Sequence, residues 1–364
     1  MSENGTESKT ETKERSYGNF IGISLLILII AVFALFIFIL KTIYPQADET
    51  IIRIEAARVL FETQDNLTDD GINIREEAAK ITQNDPNDLT DKDFAKITKL
   101  TLKGSTRDIK LLEKFTNLEE LNLHLKIRKG KLPHYQIKLP EREYIDLSPL
   151  EKLSHLKKLE LYGDFINLEP VANIISLEDI DLSESQVTDI SPLQKLTNLK
   201  KLNLFAMGYL DITPLINFTN LEELNLIGTR ATSIEPLKNL KKLKVLYIYN
   251  SAISEIEPLR NLKNLQRLYI NQTKITKFEP LQELTKLERL AIDERQLSCI
   301  EFIKDLPNLR ILDLAGYNLN NLEPLKQLTN LKIIQLNSEN IKTEQIEELE
   351  KALPETEIRH MYIH

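Results

Sequence analysis

Leucine and isoleucine recur along most of the chain at a fixed spacing. Each recurrence is a Leu-x-Leu segment or its isoleucine variant, and from Ile180 onward the step between successive segments is constant. The first aliphatic residues of these segments are Leu100, Leu121, Leu159, Ile180, Leu202, Leu224, Leu246, Leu268, Leu290, Leu312 and Ile334. Units this short bury their apolar side chains only by stacking on one another, so the period indicates a solenoid.

The repeat formed by residues 221–242 shows which elements the pattern predicts. Leu224 and Leu226 alternate with other residues, as in a short strand whose leucines face the core. Pro236 suits the first residue of a helical turn, and the leucines after it recur every three residues, the period of a 3₁₀ helix. We therefore expect an α/β solenoid: a leucine-rich repeat horseshoe with an eleven-stranded parallel β-sheet on its concave face and a mostly 3₁₀ convex side.

Strand residues between the leucines are predicted to line the concave face. Aromatic and aliphatic residues cluster there in adjacent repeats, with acidic residues on one side and arginines on the other. The expected partner-binding residues are Phe205, Ile227, Val245, Tyr247, Tyr249, Tyr269, Arg267, Arg289, Asp179 and Asp181. Exposed aromatics with a charged rim are typical of protein interfaces, although tyrosine and phenylalanine also favour strands in general.

A basic insertion interrupts the period. The step from Leu121 to Leu159 is much longer than the regular one, and the excess forms an added loop at 126–143. This loop includes Lys126, Arg128, Lys129 and Lys131. Such a run would attract an acidic partner or lipid headgroups. The alternative is a solvated surface loop without function, which solenoids tolerate.

Residues 20–40 are 21 consecutive uncharged and mostly aliphatic or aromatic residues. At about 1.5 Å per residue, a helix of this length spans the roughly 30 Å hydrocarbon core of a bilayer. Tyr17 and Tyr44 flank the stretch at the positions of membrane interfaces. A buried helix and a cleaved signal peptide are the alternatives, but the apolar region of a signal peptide is usually about 7–15 residues long. We predict an uncleaved single-pass transmembrane helix.

The flanking charges predict the orientation of this helix. Three basic residues precede the apolar stretch, Lys9, Lys13 and Arg15, and two follow it closely, Lys41 and Arg53. Basic residues are retained on the cytoplasmic side. We therefore expect a membrane protein with its N-terminus inside and its repeat domain outside the cytoplasm.

The order of these patterns predicts how the chain is divided. In the segment before the repeats, Thr90 and Asp93 have the spacing of a capping box. In the last helix, Ile346, Leu349 and Leu353 should face the core. The expected regions are a disordered tail at 1–16, a transmembrane anchor at 17–44, a helical linker and N-terminal cap at 45–95, leucine-rich repeats at 96–342 and a C-terminal cap at 343–364.

Charge and residue types narrow the function. The formal net charge is −8, which gives a nucleic acid no general basic surface. The single cysteine, Cys299, excludes an intramolecular disulfide and a multi-cysteine metal cluster. The five histidines lack metal-ligand spacing, and neither a phosphate-binding glycine loop nor a serine nucleophile elbow occurs. We expect a protein partner and no enzymatic activity, cofactor, metal or small-molecule substrate.

The repeats also resemble those of a known family. Leu199-Lys-Lys-Leu-Asn-Leu204 and Leu221-Glu-Glu-Leu-Asn-Leu226, each followed by Ile-x-Pro-Leu, look like the 22-residue repeats of the bacterial internalin-like family. They are also similar to the leucine-rich repeat regulatory subunits of protein phosphatase 1. The resemblance covers roughly residues 89–358 and implies protein recognition through the concave sheet without catalysis. Phe302 departs from the proline of the pattern, and Arg295 from its usual serine or threonine.

Two functions fit these observations. The first is a membrane-anchored leucine-rich repeat scaffold or receptor that recognises a protein on its concave sheet outside the cytoplasm. The second is a regulatory subunit that faces the cytosol and docks an enzyme such as a phosphatase. With no C-terminal wall-sorting motif in the sequence, attachment is expected through residues 20–40.

Overall fold

The computed structural model describes residues 74–104, 108–125, 144–163, 165–249, 251–293, 297, 299–315, 319–337 and 341–360. Twelve strands form one parallel sheet in which each strand pairs with the next in the chain. The strands are β1 Lys99–Gly104, β2 Glu120–Leu125, β3 Lys158–Gly163, β4 Asp179–Asp181, β5 Lys201–Asn203, β6 Glu223–Asn225, β7 Val245–Tyr249, β8 Arg267–Asn271, β9 Arg289–Asp293, β10 Ile311–Ala315, β11 Ile333–Asn337 and β12 Glu357–His360.

Short 3₁₀ helices connect the strands on the opposite side, as the three-residue leucine period predicts. In most of them proline occupies the first or second position, where its fixed φ suits the turn and its missing N–H costs nothing. Their bounds are Lys110–Lys114, Ser148–Lys152, Glu169–Asn173, Ser191–Lys195, Thr213–Asn217, Glu235–Leu237, Glu257–Asn261, Glu279–Glu283, Glu301–Asp305 and Glu323–Gln327.

The repeated leucines share one continuous core. Leu224 of β6 and Leu226, just after it, are fully buried, and the core extends through every described repeat from Ile74 to Leu353. Burying a leucine side chain stabilises the fold by about 1.5–3 kcal/mol. At the end of β6, Thr229 is also fully buried, and its hydroxyl donates a hydrogen bond of 2.9 Å to the carbonyl of Leu226. The period therefore aligns equivalent side chains along one interior.

Asparagine side chains connect successive repeats before the strands. Each amide nitrogen donates to a backbone carbonyl of the preceding repeat, which satisfies a polar group that the turn leaves open. The bonds run from Asn117 to Ala95 (2.9 Å), Asn198 to Ile175 (3.1 Å), Asn220 to Thr197 (2.6 Å), Asn264 to Lys241 (2.8 Å), Asn308 to Thr285 (2.8 Å) and Asn330 to Pro307 (2.8 Å). We refer to these bonds as the asparagine ladder.

Within the described residues, two helices precede the first strand, α1 at Ile74–Thr82 and α2 at Asp91–Phe94. The backbone N–H of Thr90 donates to Asp93 Oδ2 at 3.0 Å, and the Thr90 hydroxyl donates to the same atom at 2.6 Å. Lys96 forms an ion pair with Asp93 at 2.8 Å, and these contacts hold the pKa of the Asp93 carboxyl well below its usual range. The predicted link between Thr90 and Asp93 is confirmed.

The last described segment contains helix α3, Thr343–Ala352, and strand β12. Leu349 and Leu353 are buried and Ile346 packs against the core, as the helical spacing predicts. The repeat pattern predicts eleven strands, whereas the described residues form twelve. The pattern misses β12 because His360 occupies the register position of Leu336, so the second leucine of a Leu-x-Leu segment is absent.

One departure from the repeat has a packing explanation. Phe302 occupies the position that is proline in the neighbouring repeats, and Phe278 occupies an isoleucine position one repeat earlier. Their rings stack with centroids 5.6 Å apart and an angle of 22° between planes, and both side chains are buried. The two substitutions therefore complement each other across the repeat boundary.

The predicted membrane anchor lies outside the described residues, as do the tail at 1–16 and the first part of the helical linker. Among the helices that are described, none combines the length and the apolar character needed to span a bilayer.

Candidate functional site: the concave sheet

Strand residues that face away from the core form three columns along the sheet. Because the strands pair in register, each column places one residue per repeat beside its equivalents in the neighbouring repeats. Adjacent strands lie about 4.8 Å apart. Side chains of one column therefore lie within reach of each other, and the chemistry of the face depends on residues that are adjacent in space although one repeat apart in sequence.

The first column alternates in charge over six strands. Its residues are Lys99, Glu120, Lys158, Asp179, Lys201 and Glu223, and successive members of this series are aligned in register with opposite signs. Lys99 and Glu120 approach to 2.6 Å, and Lys201 and Glu223 to 3.3 Å. Opposite charges on adjacent strands stabilise the sheet, so this half of the concave face is largely neutralised by its own pairs.

Two acidic residues in this half differ in their electrostatic environment. The contact with His124, followed by the ion pair with Lys158, lowers the pKa of Glu160 to about 2. Burial raises the pKa of the Asp179 carboxyl, although Lys158 and Lys201 act against the increase. The Glu160 carboxylate lies 3.6 Å from His124 Nε2 and 2.8 Å from Lys158 Nζ. Both carboxylates are partly buried, but among the described residues only Glu160 has a close ion pair, and this difference explains the opposite pKa shifts.

The aromatic and arginine residues lie in the next part of the sheet. Tyr247 of β7 and Tyr269 of β8 are aligned in register, and their rings stack with centroids 4.5 Å apart and an angle of 9° between planes. The guanidinium of Arg289 lies over the Tyr269 ring, 5.3 Å from its centroid, and forms an ion pair of 3.3 Å with Asp313. Tyr269 and Arg289 are therefore fixed by several contacts at once.

The sheet brings the predicted site residues together but covers more of them than expected. Phe205, Ile227, Val245 and Tyr269 are only 4%, 5%, 4% and 3% exposed, so the prediction of exposed side chains is wrong for these four. They are buried outside the leucine core, where close strand spacing makes each side chain cover its neighbour. Those that remain partly or fully exposed are Tyr247, Tyr249, Arg267, Arg289, Asp179 and Asp181.

The basic run at Lys126, Arg128, Lys129 and Lys131 lies outside the described residues. Strands β2 and β3 on either side of it pair along their whole length and carry a polar cluster. In that cluster the rings of His124 and Tyr162 are 5.7 Å apart, and the Tyr162 hydroxyl donates to Glu184 at 3.1 Å. The insertion therefore leaves the pairing of the repeats around it intact.

The repeat pattern does not predict one exposed tyrosine. Tyr209 occupies the position of buried Val187 and Ile253, yet it is 78% exposed, and Leu210 is buried after it. Gly208 precedes it with φ +68°, a left-handed conformation that glycine adopts readily. The Arg230 guanidinium lies 4.7 Å from the Tyr209 ring centroid. Gly208 stands where neighbouring repeats have Gln186 and Arg230. Arg230 also has a left-handed φ, +50°, yet Ala231 after it is buried, so the conformation at this position does not by itself explain the exposure of Tyr209.

Groups of three or more histidine, cysteine, aspartate or glutamate side chains that could hold a metal ion do not occur among the described residues. Cys299 is exposed. The groups that the concave face presents are stacked rings, guanidinium groups and ion pairs.

Comparisons with known proteins agree with the repeat architecture. Residues 219–261 match the family "Leucine Rich repeats (2 copies)". A sequence search among curated proteins found no significant match. An internalin from Listeria monocytogenes is 26% identical in sequence, with 80% of this chain and 90% of that chain covered and a TM-score of 0.63.

Two further solved structures are similar. Internalin C2 from Listeria monocytogenes is 27% identical, with 60% of this chain and 92% of that chain covered and a TM-score of 0.52. A leucine-rich repeat protein from Leptospira interrogans is 26% identical, with 68% of this chain and 74% of that chain covered and a TM-score of 0.54. These bacterial proteins share the architecture over most of their own length.

Proposed function

We propose, from the premise that this chain is an internalin-like leucine-rich repeat protein, that its concave sheet binds a protein partner. The binding surface is the tyrosine–arginine patch, defined as Tyr247, Tyr249, Tyr269, Arg267 and Arg289. The patch lies on three adjacent strands, β7 to β9. The partner would lie across these strands.

One observation carries the proposal: the accessible residues of the patch pack against a base of side chains that other contacts hold in place. Tyr269 is buried between the Tyr247 ring and the Arg289 guanidinium, whereas Tyr247 and Tyr249 are partly exposed and Arg267 is exposed. Tyrosine and arginine carry much of the binding energy in protein interfaces. A base that is already ordered reduces the entropy lost on binding.

The test uses single substitutions of accessible residues. Tyr249→Ala removes contact area at the patch, whereas Tyr209→Ala removes an exposed tyrosine outside the sheet and serves as the matched control. With the full-length protein as bait, a partner recovered with wild type should be lost or weakened at least about tenfold by Tyr249→Ala. Equal recovery with Tyr249→Ala and Tyr209→Ala would contradict binding at the patch.

We also propose that residues 20–40 anchor the chain in a membrane and that the repeat domain lies outside the cytoplasm. The length of this uncharged stretch and the basic residues before it support the proposal. Protease added to intact cells should remove the repeat domain, and lysed cells provide the control for protease activity. Protection in intact cells would contradict the orientation and favour the cytosolic regulatory subunit that docks an enzyme.

A further inference from the structure

The first column of the concave sheet alternates in charge sign from strand to strand in its first half but not in its second. From β1 to β6 every adjacent pair has opposite signs. Val245 of β7 then interrupts the series, and Arg267 of β8 is aligned in register with Arg289 of β9. Like charges on directly adjacent strands destabilise a sheet. Two arginines side by side therefore indicate a requirement other than stability.

The two arginines differ in how the protein compensates them. Arg289 has the ion pair with Asp313 at 3.3 Å and lies over the Tyr269 ring. The side chain of Arg267 is exposed and forms no ion pair or hydrogen bond with the described part of the chain. The first two columns of β7, β8 and β9 contain valine, alanine, tyrosine and arginine but no acidic residue. Arg267 thus carries a positive charge that the sheet itself does not neutralise.

The surroundings of Arg267 are apolar and aromatic. Val245 lies beside it in the same column and is 4% exposed, and the Tyr247–Tyr269 stack occupies the second column of β7 and β8. Val245 and Tyr269 are covered, but Tyr247 remains partly exposed, and a free inorganic anion would pair with the guanidinium and leave the Tyr247 ring without a contact. A carboxylate on a peptide with apolar neighbouring residues would match both, because the planar guanidinium binds carboxylates through two parallel hydrogen bonds.

We propose that the tyrosine–arginine patch recognises an acidic peptide segment of the protein partner. A carboxylate of that segment binds Arg267, next to Arg289, and an adjacent apolar side chain lies on the partly exposed ring of Tyr247. The inference rests on the proposed function, since it names the chemistry of the partner at the same surface.

Fluorescence anisotropy with the purified full-length protein tests the charge preference. The probes are the labelled peptide Glu-Phe-Glu-Phe-Glu and its twin Lys-Phe-Lys-Phe-Lys. Wild type should bind the acidic peptide and not the basic one. Arg267→Ala should weaken the affinity for the acidic peptide at least about tenfold. Lys201 is an exposed cation of the same column on β5, and the Lys201→Ala variant should bind this peptide as wild type does.

Charge reversal gives a second readout that misfolding cannot imitate. Arg267→Glu should transfer the preference to the basic peptide, and its thermal midpoint should not fall below that of wild type because an opposite-sign pair with Arg289 replaces a like-sign pair. The proposal is overturned if wild type binds neither peptide or both equally, if Arg267→Ala leaves the acidic peptide unaffected, or if inorganic phosphate at the peptide's own concentration displaces it.

Failure of this inference can be separated from failure of the proposed function. A partner recovered by the wild-type bait that is lost with Tyr249→Ala but unaffected by Arg267→Ala would retain the concave site and reject the acidic segment. A partner unaffected by both substitutions would reject the concave site itself.

Discussion

Individual residues modify a regular scaffold at a few positions, and glycine shows this most directly. Gly208 and Gly228 follow adjacent strands with φ values of +68° and +70°, which residues with a Cβ rarely adopt. They differ in available space. A Cβ at Gly228 would lie 3.3 Å from the Ala206 Cα, whereas a Cβ at Gly208 would meet nothing within 4 Å. The pair therefore separates backbone strain from steric contact.

Replacing each glycine with alanine measures both effects by chemical denaturation. Gly208→Ala should lower the free energy of unfolding by about 1 kcal/mol, because the left-handed conformation becomes unfavourable. Gly228→Ala should cost more, since the backbone of Ala206 must also move. A Gly228→Ala variant as stable as Gly208→Ala would show that the close approach is relieved without cost.

Glu160 and Asp179, on the adjacent strands β3 and β4, predict opposite dependences of stability on pH. The pKa of Glu160 is lowered from 4.5 to about 2, so its carboxylate stabilises the fold above pH 4.5 and loses this effect as the pH falls toward 2. The pKa of Asp179 is raised, so the folded state holds this proton more tightly than the unfolded chain, and ionisation at higher pH costs stability.

Glu160→Gln should therefore destabilise the protein at pH 6, with the difference from wild type vanishing near pH 2. Asp179→Asn should stabilise it at pH 6, with the gain vanishing as the pH falls below the ordinary carboxyl pKa of 3.8. Denaturation curves between pH 2 and pH 6 for each variant and wild type provide the comparison. The same sign of change for both variants at pH 6 would contradict the assigned environments.

At the scale of elements, the asparagine ladder shows how neighbouring turns are joined. Asn264 donates to the Lys241 carbonyl at 2.8 Å, and its side-chain oxygen accepts a hydrogen bond of 2.7 Å from Lys286 of the following repeat. One side chain thus contacts the turns before and after its own. Asn261, three residues earlier, is exposed and makes no side-chain hydrogen bond to the described part of the chain.

Asn264→Ala should lower the free energy of unfolding by about 1 kcal/mol, the net contribution of a typical hydrogen bond. Asn261→Ala is the matched control and should change it by less than about 0.5 kcal/mol. Thermal and chemical denaturation of both variants test the difference. Equal stability of the two variants would mean that water replaces the ladder without loss.

At the scale of the whole molecule, the sequence predicts what depends on the period and misses what depends on neighbours. Leu224, Pro236 and their equivalents place eleven of the twelve strands and the 3₁₀ helices because burial and turn geometry recur once in every repeat. The burial of Tyr269 could not be predicted in this way, since it results from contacts with Tyr247 and Arg289 on adjacent strands. The exposure of Tyr209 is not encoded in the leucine spacing either, since the equivalent residues Val187 and Ile253 are buried.

The candidate site shows the same limits. Its membership follows from the columns, since alternation along each strand places Tyr247, Tyr249 and Arg267 on the concave face. The columns do not predict which of these residues are accessible, because accessibility depends on which side chains cover each other between strands. Asp313 neutralises the charge of Arg289, whereas Arg267 has no such ion pair within the described residues. This difference also depends on side-chain conformations, which the sequence pattern does not predict.

Site-specific photo-crosslinking tests the central claim, that the concave patch contacts a protein partner. A benzophenone amino acid replaces Tyr249 in one full-length variant and Tyr209 in a matched variant, and both are irradiated in the cells that produce the protein. Substitution at Tyr249 should give a discrete crosslinked protein that Arg267→Ala reduces, and substitution at Tyr209 should not. The same adduct from Tyr209, or none from Tyr249 at equal expression, would contradict binding on the concave sheet.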